Sequence, residues 1–286
     1  MNGVERSIFK TCDIRGIYGH DLDEGTAYLL GRAVGSQSRG QRVVVGADLR
    51  PSSPIMARSL VNGVLRSGAD VVDLGQVPTS LFYYAKQRLQ AHGAVMVTAS
   101  HNPARYNGFK VMIGDLPISP DELDALRVTM ESGEFAEGLG NYSRADLVDE
   151  YQDSLLQAFD LQHLARQVVV DAGNGSLWQL APALLEARGQ RVERLFCTPD
   201  GTFPNRDPNP AQATNLLDLR QRILATDAEL GIAYDGDGDR VIFVDGRGRV
   251  QPADRTLVLF VRHLLPGAPG AGVVYDLKSS SIVAEE

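Results

Sequence analysis

The sequence has very few cysteines and no long hydrophobic run. Its 286 residues include two cysteines, Cys12 and Cys197, which lie far apart without the spacing of a metal or redox site. A disulfide scaffold is therefore excluded, and we expect reduced thiols. No apolar stretch approaches the length of a membrane span, and residues 1–6 lack the apolar core of a secretion signal. These absences predict a cytoplasmic protein with no membrane partner.

Positive charge is also scarce. The chain has 28 lysines and arginines against 36 aspartates and glutamates, a net charge of -8. A general nucleic-acid binder needs a basic stripe to neutralise phosphates, and no such stripe is present. The composition is otherwise that of a globular protein, with a length that suits about two domains. We therefore expect small, locally bound partners rather than nucleic acid.

One short pattern, a buried-type strand that ends in a polar turn, occurs three times. It covers residues 42–48, 167–173 and 272–278. The first two copies are each followed by a helix-like stretch, at 55–67 and 177–188. Strands that alternate with helices predict an α/β protein with helices on both faces of each sheet. Further strands are predicted at 69–74, 93–98, 191–196 and 230–234.

This repetition predicts two consecutive, similar mixed-sheet domains followed by an incomplete third. We place the boundaries at residues 1–145, 146–250 and 251–286. The last segment offers a helix at 255–265, a strand at 273–275 and the first turns of another helix. So short a segment cannot build a core alone. We therefore expect its apolar face to associate with the second domain or with another chain.

Three aspartates follow the predicted strand 230–234 at alternate positions. Asp235, Asp237 and Asp239 are separated by single glycines and followed by Arg240. Alternate residues of an extended chain point to one side, and glycine lets the backbone curl, so the carboxylates can converge. Gathering three like charges is costly without a cation between them. The pattern therefore favours a metal site over a solvated acidic turn.

The ligand type narrows the choice of metal. Carboxylates without a nearby His or Cys suit magnesium, calcium or manganese rather than zinc. An EF-hand loop would need Gly at its sixth position and Glu at its twelfth, where this chain has Arg240 and Gly246. Magnesium commonly takes a few carboxylates and completes its octahedron with water or phosphate. Three aspartates therefore leave room for a phosphate.

A polar loop follows the corresponding strand of the first domain. Ser100 lies between an apolar strand and the turn-forming residues 101–103, where we expect an exposed hydroxyl. Open α/β sheets bind ligands at the carboxyl ends of their strands, so Ser100 is expected near Asp237. A turn at Asn107-Gly108 would then bring Lys110 close to the serine. The alternative is a polar turn in which Ser100 only satisfies local backbone groups.

Together the two loops closely resemble the signatures of the α-D-phosphohexomutase superfamily. Residues 8–16 resemble the N-terminal motif of its bacterial phosphomannomutase/phosphoglucomutase branch, and residues 202–210 resemble a further family segment. The resemblance spans nearly the whole chain. The loop segments that carry it are Thr98-Ala99-Ser100-His101-Asn102-Pro103, Asn107-Gly108-Phe109-Lys110 and Asp235-Gly236-Asp237-Gly238-Asp239-Arg240.

The resemblance implies an intramolecular phosphotransferase of carbohydrate metabolism, an isomerase acting on mannose or glucose 1- and 6-phosphates. Phospho-Ser100 would donate its phosphate to the sugar, a hexose 1,6-bisphosphate would form and reorient, and the other phosphate would return to Ser100. It also implies Mg²⁺ held by Asp235, Asp237, Asp239 and an oxygen on Ser100. This matches the position left for a phosphate.

The same resemblance assigns roles to four further side chains. Arg15, Lys110 and Arg240 would bind the phosphoryl oxygens. Lys110 is the candidate general acid and base, because crowding by Arg15 and a cation would lower its pKa. His101 is a candidate to assist the chemistry or to orient the serine loop.

Two departures from the family pattern concern single residues, and a third concerns length. Cys12 stands where the family usually has Tyr, and Arg206 belongs to a segment that usually contains His. Family members usually have four domains, whereas this sequence ends within the third. Three hypotheses follow: a mutase that needs further chain, a catalytically incomplete N-terminal fragment that binds Mg²⁺ and phosphate, or an Mg²⁺-dependent phosphatase.

Overall fold

Two mixed β-sheets with helices on both faces make up the structure, a computed structural model that describes residues 4–159 and 166–285. The first sheet has the order β1-β5-β4-β2-β3-β6, in which β2, β3, β4 and β6 are parallel and β5 runs antiparallel to β1 and β4. The α/β class is thereby confirmed. The strands are β1 (Ile14–Ile17), β2 (Arg42–Ala47), β3 (Asp70–Gln76), β4 (Gly93–Val97), β5 (Tyr106–Ile113) and β6 (Tyr142–Arg144).

Alternation along β2 explains why helices cover both faces of this sheet. Val43 and Val45 lie in the larger apolar cluster, with Leu30, Leu60 and other residues of three helices. Val44 points the other way and packs in a second cluster with a single helix. The three helices of the first face are α1 (Glu24–Gln37), α2 (Ser53–Arg66) and α4 (Pro120–Ser132), and the helix of the second face is α3 (Thr79–Arg88).

The second sheet repeats this plan in shorter form. Its order is β11-β10-β9-β7-β8, with β7, β8 and β9 parallel. Val169 packs against α7, and Val168 and Val170 pack against α6 on the opposite face. The elements are α5 (Val148–Ala158), β7 (Gln167–Asp171), α6 (Leu180–Ala187), β8 (Arg191–Leu195), α7 (Leu217–Thr226), β9 (Leu230–Tyr234), β10 (Val241–Asp245) and β11 (Val250–Gln251).

Contacts at the carboxyl ends of the parallel strands join the two sheets. The Thr79 N–H at the start of α3 donates to the Asp237 carbonyl at 2.9 Å. Tyr151 of α5 packs against an apolar cluster of each sheet. A Cβ on Gly201 would lie 1.9 Å from the carbonyl oxygen of Leu49, which follows β2. The loops at these strand ends are therefore held against each other by the backbone itself.

Two local predictions are wrong. Asn107 and Gly108 lie within β5 instead of forming a turn, because β1 runs so close to β5 that a Cβ on Gly108 would lie 2.0 Å from the Ile14 carbonyl oxygen. The strand predicted at 273–275 does not form, and Val274 is 97% exposed. A strand needs a neighbour to pair its backbone groups, and here no described strand pairs with these residues.

The final segment forms helices that leave much apolar surface open. The helix α8 (Ala253–Leu264) and the short α9 (Ile282–Glu285) contact each other. Val258 is buried, but Leu259 and Phe260 are 65% and 50% exposed. Within residues 4–159 and 166–285, no helix is long and apolar enough to cross a membrane.

The close approach at Gly201 gives the first prediction. Gly201→Ala should lower the free energy of unfolding by about 1–3 kcal/mol, because the added methyl group meets backbone atoms of the other sheet. Urea denaturation followed by circular dichroism measures the loss. Gly267→Ala is the matched control, since a Cβ there has no neighbour within 4 Å. Equal stability of the two variants would show that the sheets are not packed this closely.

Candidate active site

The three predicted aspartates converge in the loop between β9 and β10. Each can offer a carboxylate oxygen to one point, and these oxygens lie within 4.8 Å of one another. Gly238 has φ of +78°, the left-handed conformation that lets the loop curl. Asp235 and Asp237 are buried, and Asp239 is exposed. The sequence prediction of converging carboxylates is confirmed.

Asp235 divides its two oxygens between the loop and the serine. Oδ1 accepts hydrogen bonds from the backbone N–H groups of Gly238, Asp239 and Arg240 at 3.0–3.1 Å. These bonds hold the loop in its curled form. Oδ2 accepts a hydrogen bond from the Ser100 hydroxyl at 2.8 Å. One carboxylate therefore fixes its own loop and touches the loop of the other sheet.

Ser100 follows β4 and is buried, with 1% of its surface exposed, so the expectation of an exposed hydroxyl is wrong. The two sheets face each other across this loop, and a Cβ on Gly236 would lie 2.7 Å from the Ser100 carbonyl oxygen. Ser100 also has φ of +51°, a conformation that residues with a side chain rarely adopt. The expected meeting of the serine and aspartate loops is observed.

Lys110 reaches the same cluster from β5, where it pairs with Met96 of β4. Its Nζ donates to Asp237 Oδ2 at 2.6 Å and to Asp239 Oδ2 at 2.5 Å. Burial would lower the pKa of Lys110, but the two carboxylates outweigh it and raise the pKa. A lowered pKa is therefore not observed in the metal-free chain. The physical reason is that Lys110 itself neutralises two of the three aspartates.

The remaining predicted side chains surround Ser100 at different depths. Arg15 donates to Asn102 Oδ1 at 2.7 Å and also pairs with Asp13. The Nδ1 atom of His101 lies 3.3 Å from Ser100 Oγ. Burial, then the charges of Arg240 and Arg15, lowers the pKa of His101, which favours a neutral imidazole.

Arg240 lies at the rim of the cluster. Its side chain is 52% exposed, and Nε is 3.9 Å from a carboxylate oxygen of both Asp235 and Asp239. Cys12, the departure from the family's Tyr, is also exposed. Arg240 is therefore free to turn toward an incoming anion, whereas Lys110 and Ser100 are already fixed.

The sequence did not single out four polar residues that support the site. Thr79 Oγ1 donates to Asp237 Oδ2 at 2.8 Å, and Thr98 Oγ1 lies 3.3 Å from the same atom. Asp48 and Arg50 form a fully buried ion pair beneath the serine loop. A polar pair directly after a buried strand was the available signal for the last two. Thr79 gives no such signal, since it simply follows Pro78 at a helix start.

A divalent cation fits the aspartate cluster on two observations. Asp237 Oδ1 is buried without a hydrogen-bond partner among the described residues, an arrangement that leaves one hard oxygen ligand available. Burial, followed by the charges of Asp237 and Asp239, raises the pKa of Asp235 to about 7. Repulsion of this kind is what a bound cation removes. The donor set consists of oxygen atoms, as hard cations require.

Comparisons with known proteins decide the family. The model described as "Phosphoglucomutase/phosphomannomutase, alpha/beta/alpha domain I" matches residues 6–137, and the model for domain II matches residues 149–248. The chain belongs to the phosphoglucomutase/phosphomannomutase family. This confirms the phosphohexomutase superfamily, in its bacterial branch, as the resemblance implied.

Relatives in this family share much of the sequence. A phosphomannomutase/phosphoglucomutase of Pseudomonas aeruginosa is 41% identical over 279 residues, covering 95% of this chain and 59% of that protein. A phosphoglucomutase of Neisseria meningitidis serogroup A is 37% identical over 289 residues, covering 99% of this chain and 63% of that protein. The chain thus spans about three fifths of the length of these curated relatives.

A solved structure shows the same architecture. The phosphoglucomutase/phosphomannomutase family protein of Burkholderia thailandensis matches with a TM-score of 0.93 and 38% identity, over 99% of this chain and 65% of that one. A phosphomannomutase described as putative in its title, from Thermus thermophilus, has a TM-score of 0.90 at 26% identity, over 99% and 67%. The two described sheets therefore have the arrangement found in this enzyme family.

The raised pKa of Asp235 predicts a pH-dependent stability of the metal-free chain. The folded chain holds the Asp235 proton up to about pH 7, whereas the unfolded chain releases it near 3.8. This contribution to stability is present at low pH and is lost as the pH rises through about 7. In EDTA, the Tm of the wild type relative to Asp235→Asn should fall between about pH 5 and about pH 8. Differential scanning calorimetry measures the difference.

Asp237 does not disturb this window. Lys110 and hydrogen bonds overcome its burial and lower its pKa, so its contribution is lost only at more acidic pH. A Tm difference that stays flat across the window, or rises with pH, would contradict the raised pKa.

Proposed function

We propose that the chain carries the phosphoryl-transfer site of a mutase that interconverts hexose 1-phosphate and hexose 6-phosphate. The observation that carries the proposal is the 2.8 Å contact between Ser100 Oγ and Asp235 Oδ2, which joins a nucleophile from one sheet to a metal cluster from the other. Membership of the family supports it further. The substrates are mannose or glucose phosphates.

Transfer proceeds in two balanced steps through Ser100. In the first, the P–O bond of phospho-Ser100 breaks as a sugar hydroxyl forms a new P–O bond, and the hydroxyl proton passes to a base. The product is a hexose 1,6-bisphosphate. In the second, Ser100 Oγ takes the other phosphoryl group and loses its own proton, and the sugar oxygen leaves with a proton.

Mg²⁺ is the cation proposed for Asp235, Asp237, Asp239 and the serine-borne oxygen, and when bound it withdraws charge from the phosphoryl group. Lys110 is the proposed general acid and base for the sugar hydroxyl. Its pKa is raised by two carboxylates that also belong to the cation's donor set. Neutralising their charge removes the cause of that rise.

Arg15 and Arg240 are proposed to bind phosphoryl oxygens. Arg15 is anchored beside the serine through Asn102, and Arg240 has the exposure needed to follow a substrate. His101, with its lowered pKa and its Nδ1 3.3 Å from Ser100 Oγ, is the proposed acceptor of the serine proton. Both arginines stabilise negative charge that grows during transfer.

We also propose the division into residues 1–145, 146–250 and an incomplete third domain from 251 to 286. The division is supported by the end of β6 at Arg144 and of β11 at Gln251. The exposed apolar side chains Leu259 and Phe260 of α8 support an association through the third segment.

Ser100→Ala should abolish phosphate incorporation from a hexose 1,6-bisphosphate, because the acceptor oxygen is gone. Mass spectrometry of the intact chain measures the added phosphate. Ser7→Ala is the control, since Ser7 is exposed and distant in sequence from both loops. Equal incorporation in the two variants would end the assignment of Ser100.

The fate of the phosphate separates the mutase from its alternatives. Coupled assays with glucose 1-phosphate and mannose 1-phosphate detect turnover. Phosphorylation without turnover identifies a catalytically incomplete fragment. Rapid loss of phosphate from Ser100 to water without sugar identifies an Mg²⁺-dependent phosphatase. Burial of Ser100 is the observation that favours the mutase over the phosphatase.

Asp237→Asn should weaken Mg²⁺ binding by about 100-fold or more, because it removes one charge from the only acidic triad in the described residues. Isothermal titration calorimetry measures the Kd. Asp149→Asn, an exposed carboxylate in the first turn of α5, is the charge-matched control. Unchanged Mg²⁺ affinity in Asp237→Asn would exclude the triad as the metal site.

A further inference from the structure

Arg50 spends every donor of its guanidinium on the serine loop and on Asp48. Nε donates to Asp48 Oδ2 at 2.9 Å. The two terminal nitrogens donate to four backbone carbonyls, at 2.7–3.1 Å, and the side chain has no exposed surface. A guanidinium carries five N–H bonds, so none is left over. The four carbonyls belong to Ser100, Asn102, Pro103 and Tyr106.

Asp48 extends this grip to the serine amide. Its Oδ2 also accepts a hydrogen bond from Thr98 Oγ1 at 2.8 Å. The same Thr98 oxygen accepts a bond from the Ser100 N–H at 2.8 Å. The Ser100 residue is therefore held on both sides, by its N–H through Thr98 and by its carbonyl through Arg50. Its left-handed backbone conformation persists only if the surroundings fix it.

The second sheet contains the same chemistry beneath the metal loop. Asp171 ends β7, which lies beside β9 as β2 lies beside β4. Arg206 Nε donates to Asp171 Oδ2 at 2.8 Å, and its other nitrogens donate to the carbonyls of Tyr234 and Asp207 at 2.8 and 3.1 Å. Tyr234 directly precedes the first metal ligand.

Space around the second pair is fitted to the arginine. Asp171 Oδ1 accepts a bond from the Gly173 N–H at 2.8 Å, and a Cβ on Gly173 would lie 2.6 Å from the Arg206 guanidinium carbon. Asp171 is fully buried and Arg206 is 7% exposed. Neither pair touches the predicted ligand atoms of the aspartate cluster. Each acts through the backbone of one loop.

We propose that the two buried aspartate–arginine pairs are separate positioning devices, Asp48–Arg50 for the serine loop and Asp171–Arg206 for the metal loop. Each arginine fixes the carbonyls at the start of its loop. The serine hydroxyl and the carboxylates are thereby placed before substrate arrives, as phosphoryl transfer requires. The catalytic consequence rests on the proposed function, whereas the loop ordering does not.

Amide hydrogen exchange tests the two devices separately. Lysine keeps the positive charge but lacks the planar fork, so it cannot bond several carbonyls at once. Arg50→Lys should speed exchange about tenfold or more in the segment 98–106, with the segment 234–240 within about twofold of wild type. Arg206→Lys should give the reverse pattern. Each variant is the matched control for the other, and α1 serves as the internal reference.

Uniform acceleration across both segments and α1 would mean that the pairs only stabilise the fold, and it would overturn the proposal. Unchanged exchange in the targeted segment would overturn it as well. If Arg50→Lys does not fold, the double variant Asp48→Asn/Arg50→Gln removes both charges together and avoids an unpaired buried ion. Its serine loop should still exchange fast, and wild-type protection there would contradict the assignment.

A functional readout separates this inference from the mutase assignment. Arg50→Lys should slow phosphorylation of Ser100 by a hexose 1,6-bisphosphate about tenfold or more while its Kd for Mg²⁺ stays within about threefold of wild type. Arg206→Lys should weaken Mg²⁺ binding. If the wild type takes no phosphate, the proposed function fails, and the exchange pattern still decides the positioning roles.

Discussion

The structure depends on bringing three carboxylates and a serine hydroxyl together in a place that water hardly reaches. Burial and mutual repulsion oppose the charged form, which is why the pKa of Asp235 is raised. The protein offsets part of this with Lys110, which pairs with two of the carboxylates, and with backbone N–H groups around Asp235. The site is therefore a polar network whose members cannot be exchanged one at a time.

This network can exist only if the two sheets present their carboxyl ends to each other. Ser100 and Lys110 come from the first sheet, and the aspartates come from the second. The backbone contacts at Gly201 and Gly236 show how closely the loops approach. The ring of Phe203 in the second domain also stacks on Arg50 of the first, 5.2 Å from its guanidinium carbon. Packing between domains and geometry of the site are thus a single constraint.

Sequence patterns were strongest where a local rule acts alone. The alternation of aspartate and glycine in residues 235–239 predicted the converging carboxylates because chain direction and glycine freedom suffice for it. The burial of Ser100 and the pairing of Gly108 within β5 depend on neighbours distant in the chain, the metal loop and β1. The strand predicted at 273–275 failed for the converse reason, since its residues have the propensity but no described strand to pair with.

The buried arginines illustrate why some site residues are invisible to motif reading. Arg50 follows its aspartate by two residues, whereas Arg206 follows its partner by 35. No common spacing exists, yet both guanidinium groups bond a carboxylate at the end of a central strand and the carbonyls of the next loop. Buried ion pairs of this kind add little net stability but do favour one arrangement over others. What recurs is the need of a strand end to fix the loop beside it, and the chain meets that need from different directions.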